Sequence, residues 1–246
     1  MAESNEAWDS RTELLVGAEG MARLRAAHVA VFGLGGVGSY ALEALARAGV
    51  GHLTVADFDQ VSLSNVNRQT LALRSTVGCL KTELAAARIR DISPGAVVHV
   101  VADFVDEGNI ESALDGGAGY VIDAIDTVRA KVALLAAAHR RGLYAVSCMG
   151  AANKLDPRGI CVSDIRATTC CPLAKAVRLR LRRAGIAGGI SCVYSEENRK
   201  TWRKTGEPDA RRKRWVQGSI SYVPGIIGLT AAGLIVQTIL GELLPV

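Results

Sequence analysis

The chain has 246 residues, of which 49% are hydrophobic, 22% charged and only 4% aromatic, with 29 Lys and Arg against 24 Asp and Glu. That length and apolar content supply a core for one large domain or two small ones, and a net charge of only +5 excludes global disorder. Six cysteines are too few for a disulfide scaffold, and residues 1–10 are polar and acidic rather than a secretory leader, so a reducing, cytoplasmic setting is expected.

Residues 1–27 read as an N-terminal helical arm. Val29-Ala30-Val31-Phe32 is a short apolar strand that ends in glycines, and Tyr40-Ala41-Leu42-Glu43-Ala44-Leu45-Ala46 after it is a strong helix former. Leu53-Thr54-Val55-Ala56 predicts a second strand ending at Asp57, and a helix over 81–90 stops at Ser93-Pro94-Gly95. Residues 97–101 predict a third strand, Tyr120-Val121-Ile122-Asp123 a fourth, 131–141 an alanine-rich helix, and Tyr144-Ala145-Val146-Ser147 a fifth strand. Short apolar strands separated by helices indicate an α/β protein whose mostly parallel sheet carries helices on both faces. Beyond residue 150 the pattern loosens into a less regular C-terminal extension. There, 154–159 predicts a hairpin turn with Ile160-Cys161-Val162 as its return strand, 174–184 a basic helix, and 198–214 a charged loop.

Charge is unevenly spread. Residues 175–214 hold thirteen Lys and Arg against four Asp and Glu, a net of +9, which leaves the rest of the chain at −4. Lys175, Arg178, Arg182, Arg199, Lys200, Arg203, Arg211, Arg212, Lys213 and Arg214 are therefore candidate contacts to a nucleic-acid backbone, with Trp202 and Trp215 available to stack on unpaired bases. Residues 215–241 contain no charge at all, which is long enough to span a bilayer. Five glycines, Pro224 and Gln237 interrupt that stretch and shorten its helical part to about 225–240, so a packed core helix is the favoured reading and peripheral membrane association the second.

Gly33-Leu34-Gly35-Gly36-Val37-Gly38 joins a predicted strand to a predicted helix, the context in which a G-x-G-x-x-G loop holds a phosphate on helix N–H groups. Asp57, at the end of the next strand, is placed to accept hydrogen bonds from a ribose. A nicotinamide dinucleotide satisfies these features equally well. The loop after the second strand decides between them, because Arg68 and Lys81 are needed to neutralise a triphosphate and its pyrophosphate leaving group but not by a hydride-transfer enzyme. Asp126, at the end of the fourth strand, is one carboxylate of the kind that holds Mg²⁺ together with phosphate oxygens.

Together with Asp57-Phe58-Asp59, Asn67-Arg68-Gln69 and Asp123-Ala124-Ile125-Asp126, these residues resemble the ATP site of the ThiF/MoeB superfamily of ubiquitin-activating-enzyme-like adenylyltransferases. The resemblance implies a single Rossmann-like ATP-binding domain over 1–246, divided into the arm (1–27), the nucleotide-binding core (28–150) and a C-terminal substrate and dimer region (151–246). It implies ATP contacts from Gly33, Gly35, Gly36, Gly38, Asp57, Asp59, Asn65, Asn67, Arg68, Gln69 and Lys81, with Mg²⁺ on Asp126. It further implies that Arg11 reaches the neighbouring subunit's site in a homodimer, so that Arg11, Arg68, Lys81 and Asp126 are the catalytic set.

Within the superfamily, Pro172-Leu173-Ala174-Lys175 and Cys192-Val193-Tyr194-Ser195 resemble the tRNA-modifying branch, which adenylates and cyclises the threonylcarbamoyl group of a modified adenosine. Cys170-Cys171 departs from that pattern, where an acidic residue is expected before Pro172. The alternative activity is adenylation of the C-terminal glycine of a ubiquitin-like sulfur carrier, and a sulfur-relay protein is a further candidate partner. Those relatives carry paired C-x-x-C zinc ligands, which the six cysteines here do not form, so no zinc is expected. Cys192 is a candidate reactive thiol, with a packing role favoured over it.

Overall fold

The apolar runs of the first two-thirds of the chain form the strands β1 (His28–Phe32), β2 (His52–Ala56), β3 (Val97–Val101), β4 (Tyr120–Asp123) and β5 (Tyr144–Cys148). The computed structural model, which describes residues 7–198, 208–209, 214–215 and 217–242, adds β6 (Ile160–Asp164) and β7 (Ser191–Ser195) to the same sheet. The strand order is β3-β2-β1-β4-β5-β7-β6, parallel throughout except for the last pair. Two further short strands, β8 (Pro208–Asp209) and β9 (Arg214–Trp215), pair with each other.

Alternation along the strands sorts the helices onto two faces. Val29, Val31, Leu53, Val55, Ile122 and Val146 point into a core shared with α1 (Ser10–Ala26), α2 (Gly38–Ala48), α3 (Lys81–Ile92) and α7 (Tyr222–Leu240). Ala30, Phe32, Val121, Ala145 and Cys192 point the other way, into a core completed by α4 (Ile110–Ala113), α5 (Val128–Arg140) and α6 (Pro172–Arg183). β1 is buried on both sides, which is why its sequence is continuously apolar instead of alternating. The strand order turns around between β1 and β4, and in such sheets that switch point opens a ligand crevice at the carboxyl edge.

The expected hairpin at 154–159 does not form. Pro157–Gly159 is one 3₁₀ turn, and β6 pairs antiparallel with β7, Val162 lying opposite Val193. The free edge of β5 is taken by β7, so β6 waits for a partner some thirty residues downstream that local turn signals do not report.

The apolar tail becomes α7, whose mean hydropathy of 1.9 and 19 residues would suffice to cross a membrane by length and composition. Half of it is buried against the protein. It lies across α2, where a side chain at Gly228 would put its Cβ 2.2 Å from the Val37 carbonyl oxygen. α1 breaks at Gly17 (φ 72°, ψ 171°), and the half before the break leaves Leu14 and Leu15 82% and 85% exposed.

Candidate active site

The glycine loop leaves β1 at the switch point. Gly33 adopts φ +89°, and a Cβ there would fall 2.7 Å from the Ala124 carbonyl oxygen, in the loop after β4. A Cβ on Gly38 would meet the Gly33 carbonyl oxygen at 1.8 Å, so the loop closes on itself only with glycine at both positions. Gly35 and Gly36 lie between them, beside the Gln69 amide and the Arg68 stem respectively. α2 then begins without a side-chain cap; the Ser39 N–H is taken by the Gly35 carbonyl at 3.1 Å, and the positive end of the helix dipole is available to an anion.

Asp57 ties this loop to the end of β2. Its Oδ2 accepts from the Leu34 N–H at 2.6 Å, and its Oδ1 from the Asp59 N–H at 2.8 Å. Lys81, the first residue of α3, is 4% exposed, with Nζ 2.9 Å from Asp59 Oδ2 and 3.5 Å from Asp57 Oδ2. The two carboxylates compensate the buried ammonium and fix it at the same edge as the glycines.

The segment between β2 and α3 supplies the second cation. Asn65 ends a 3₁₀ turn, its Oδ1 accepting from the Ser62 N–H at 3.1 Å, and its carbonyl accepts from the N–H groups of Arg68 and Gln69, each at 3.0 Å. The Arg68 guanidinium donates to the Ser64 carbonyl at 2.9 Å and to Asn67 Oδ1 at 2.8 Å, and burial pulls its pKa down. Among the described residues it has no carboxylate partner. The neighbouring Gln69 is buried, and its Oε1 has no partner among the described residues. A cation without an anion and an amide oxygen without a donor, both beside the glycine loop, mark a site built for a polar ligand. Asn67 Nδ2 donates to the Ser219 carbonyl at 3.2 Å, tying this segment to the chain entering α7.

Asp126 is exposed past the end of β4, where Oδ1 accepts from the Thr127 hydroxyl at 3.3 Å. Beneath it lies an ion pair that sequence reading left unassigned. Lys131 Nζ sits 2.8 Å from Asp123 Oδ2, and both side chains are fully buried. Burial pushes the Asp123 carboxyl up, while Lys131, the Ser147 hydroxyl and the Ile125 N–H pull it back. The signal was an acid at the end of a strand that is otherwise apolar. Phe58 and Phe104, each 48% exposed, form an edge-to-face pair at 4.9 Å beside Asp57, and no sequence signal links two residues so far apart.

Arg11 is exposed on the first half of α1, in an open recess with Ser10, Glu13 and Leu14 that contains none of the nucleotide residues. Among the nucleic-acid candidates, Lys175 and Arg182 are exposed on α6. Arg178 departs from the expectation, because its guanidinium turns inward and donates to the Thr168 carbonyl at 2.7 Å. Arg199, Lys200, Arg203, Arg211, Arg212 and Lys213 lie outside the described residues, and for Arg214 only its place in β9 is described. Cys192 has no exposed surface, and burial pushes its thiol well above the ordinary range. A group with neither thiolate character nor access packs the core instead of reacting, so the reactive-thiol expectation is corrected.

The sequence profile of the ThiF family matches residues 10–245. The chain is 42% identical over 241 residues to a tRNA threonylcarbamoyladenosine dehydratase of Bacillus subtilis, covering 95% of each. Its fold matches the Escherichia coli tRNA N6-threonylcarbamoyladenosine dehydratase in complex with AMP, with a TM-score of 0.86, 36% identity and 98% of both chains covered. The same protein in complex with ATP gives a TM-score of 0.83 at 36% identity, over 95% of this chain and 93% of that one.

Proposed function

This chain belongs to the ThiF family, and we propose that it is an ATP-dependent dehydratase acting on threonylcarbamoyladenosine in tRNA. The observation that carries the reading is the switch point between β1 and β4, where the glycine loop and the start of α2 meet a buried Lys81 and an Arg68 that has no carboxylate partner among the described residues. Relatives matched along nearly the whole chain bear the dehydratase name and hold ATP or AMP.

The threonyl carboxylate attacks the α-phosphorus of ATP, and the bond to pyrophosphate breaks. Arg68 and Lys81 neutralise the charge that gathers on the phosphates. The carbamoyl group then attacks the acyl carbon, and AMP departs with one former carboxylate oxygen. The nucleoside thereby loses one water while ATP becomes AMP and pyrophosphate. The α2 terminus and glycine loop hold the phosphates, and the fixed geometry supplies proximity. Mg²⁺ takes one or two carboxylates plus phosphate oxygens, and the exposed Asp126 carboxylate at the end of β4 would hold it. Bound there, the ion would neutralise phosphate charge.

The remaining assignments rest on narrower support. Exposed Lys175 and Arg182 on α6, continued in sequence by the basic residues 199–214, favour a tRNA backbone. Exposed Leu14 and Leu15 beside Arg11 favour a homodimer in which the arm meets the partner. The burial of half of α7 favours a cytoplasmic protein.

The deciding experiment incubates the protein with ATP, Mg²⁺ and tRNA bearing threonylcarbamoyladenosine, then weighs the nucleosides. Loss of one water is the expected result. ATP turnover with an unchanged nucleoside would refute the reading, and adenylation of a ubiquitin-like sulfur carrier would replace it.

A further inference from the structure

We propose that Lys131 is a positioning residue for adenylation, a buried tie that holds the loop carrying Asp126 in register with the glycine loop and the end of β5. The inference rests on the ATP-dependent reading above. Lys131 lies in the first turns of α5 and touches neither solvent nor the crevice, since its side chain has no exposed surface. Its ammonium nevertheless reaches both neighbouring strand ends. Nζ donates to the Ile125 carbonyl at 3.1 Å and to the Cys148 carbonyl at 2.8 Å, and it pairs with Asp123 Oδ2 at 2.8 Å.

The pair grips one residue through both of the peptides that flank it. Asp123 Oδ1 accepts from the Ile125 N–H at 3.2 Å while Lys131 takes the Ile125 carbonyl, so both backbone polar groups of the residue preceding Asp126 are committed to one buried ion pair. Ser147 Oγ donates to Asp123 Oδ2 at 2.6 Å, which fastens the carboxylate to β5 as well. The same loop is the surface on which the glycine loop rests, because the Ala124 carbonyl oxygen and carbon, 2.7 and 2.9 Å away, exclude a Cβ at Gly33 and the Ile125 nitrogen lies at 3.2 Å beside them. Any shift at Ile125 therefore moves Asp126 relative to the phosphates and loosens the packing under Gly33.

A buried ion pair is a costly way to fill space: replacing both partners with apolar chains is often neutral or stabilising, whereas removing one leaves the other buried and uncompensated. What the ammonium supplies beyond volume is a simultaneous bond to two carbonyls and a carboxylate from two adjacent strand ends, which no apolar residue reproduces. Groups behind a ligating side chain that fix its orientation typically contribute about 10–100-fold to metal affinity or activity.

The test compares the full-length protein with Lys131→Met, Lys131→Arg and Asp126→Ala. Three measurements are made on each: thermal unfolding, ATP affinity by calorimetry in EDTA and in Mg²⁺, and ATP-dependent dehydration of the modified tRNA. Lys131→Met keeps the stem and removes the charge. The expected result is a small loss of ATP affinity in EDTA, a larger loss of the Mg²⁺-dependent gain, and a fall in kcat of about 10–100-fold with KM for ATP changed far less. Lys131→Arg, which can still donate to the same carbonyls, should recover part of the loss. If Lys131→Met lowers only the unfolding temperature and keeps kcat and the Mg²⁺ gain within about twofold of the parent, the residue is purely structural and the inference is overturned. If the parent protein itself neither binds ATP nor dehydrates the nucleoside, the functional reading falls and takes the inference with it. An inactive Asp126→Ala beside an active Lys131→Met overturns the inference alone.

Discussion

Replacing Gly228 with Ala adds one methyl group at the crossing of α7 and α2. The new Cβ would lie 2.2 Å from the Val37 carbonyl oxygen, about 0.8 Å inside the 3.0 Å limit that real Cβ contacts respect, and 3.0 Å from the Ala41 nitrogen. Both obstacles are backbone, so no rotamer change relieves the clash and the helices must separate. Overpacking of this kind costs about 1–3 kcal/mol, which lowers Tm by about 2–12 °C in a chain of this size. The same substitution at Gly233 in the same helix meets nothing within 4 Å. It should show only the gain in helix propensity, about 0.5–1 kcal/mol, and raise Tm by about 1–4 °C. Because Val37 is the residue from which α2 starts, Gly228→Ala should also weaken ATP binding, whereas Gly233→Ala should not. Calorimetric unfolding and ATP titration of the two variants provide the assay. Shifts of the same sign in both, or an unchanged Tm for Gly228→Ala, would refute the argument that α7 is seated by that one close approach.

Three further outcomes follow from other parts of the structure. Charge reversal of the exposed pair, Lys175→Glu with Arg182→Glu, should weaken tRNA binding and flatten its dependence on salt while leaving ATP affinity intact; filter binding across a salt series reads both. Iodoacetamide should label the exposed Cys79 and Cys170 in the native protein and spare Cys192 and Cys148, whose thiol burial pushes up to about 12, so mass mapping that found rapid labelling at Cys192 would contradict its buried place on β7. His28 packs between His99 and His52, ring centroids 5.2 Å and 5.9 Å away, and burial with those two neighbours lowers its pKa. The unfolded chain, titrating near its ordinary value of about 6.5, then takes up the proton more readily than the folded one, so the stability associated with neutral His28 is full above that pH and is lost as pH falls below it. Urea midpoints should drop between pH 7.5 and 5, less steeply in His28→Asn than in the parent, and identical slopes would remove His28 from the account.

Much of the architecture was legible because it rests on local signals. The first five strands and the helices between them follow from apolar runs, alanine-rich stretches and breakers such as Ser93-Pro94-Gly95, and α3 ends at Ile92 beside that breaker. Gly33 and Gly38 declared themselves through spacing alone, and the contacts that exclude a Cβ at each give the physical reason for both. Asp57 was legible as a candidate for the site, but its bond to the Leu34 N–H was not. The carboxylate expected to accept from a ribose also anchors the glycine loop.

What depended on distant parts of the chain was not legible. The partner of β6 lies beyond α6, and a hairpin was the cheaper local reading. Arg178 belongs to a run of basic residues whose composition is uniform, yet the helix's rotation turns this guanidinium onto Thr168 and leaves Lys175 and Arg182 outside. Lys131 read only as the start of an alanine-rich helix until the fold placed it under two strand ends.

The amino-acid sequence by itself determined the α/β class, the glycine loop between β1 and α2 and the segregation of positive charge, because periodicity, glycine spacing and net charge are properties of neighbours along the chain. Only the tertiary structure decided that the uncharged tail is a helix seated on α2 and that Cys192 is sealed in the core. It also decided that a buried ion pair underlies Asp126. Each of these depends on which surfaces meet across the sheet, and burial is a relation between residues far apart in sequence that composition does not carry.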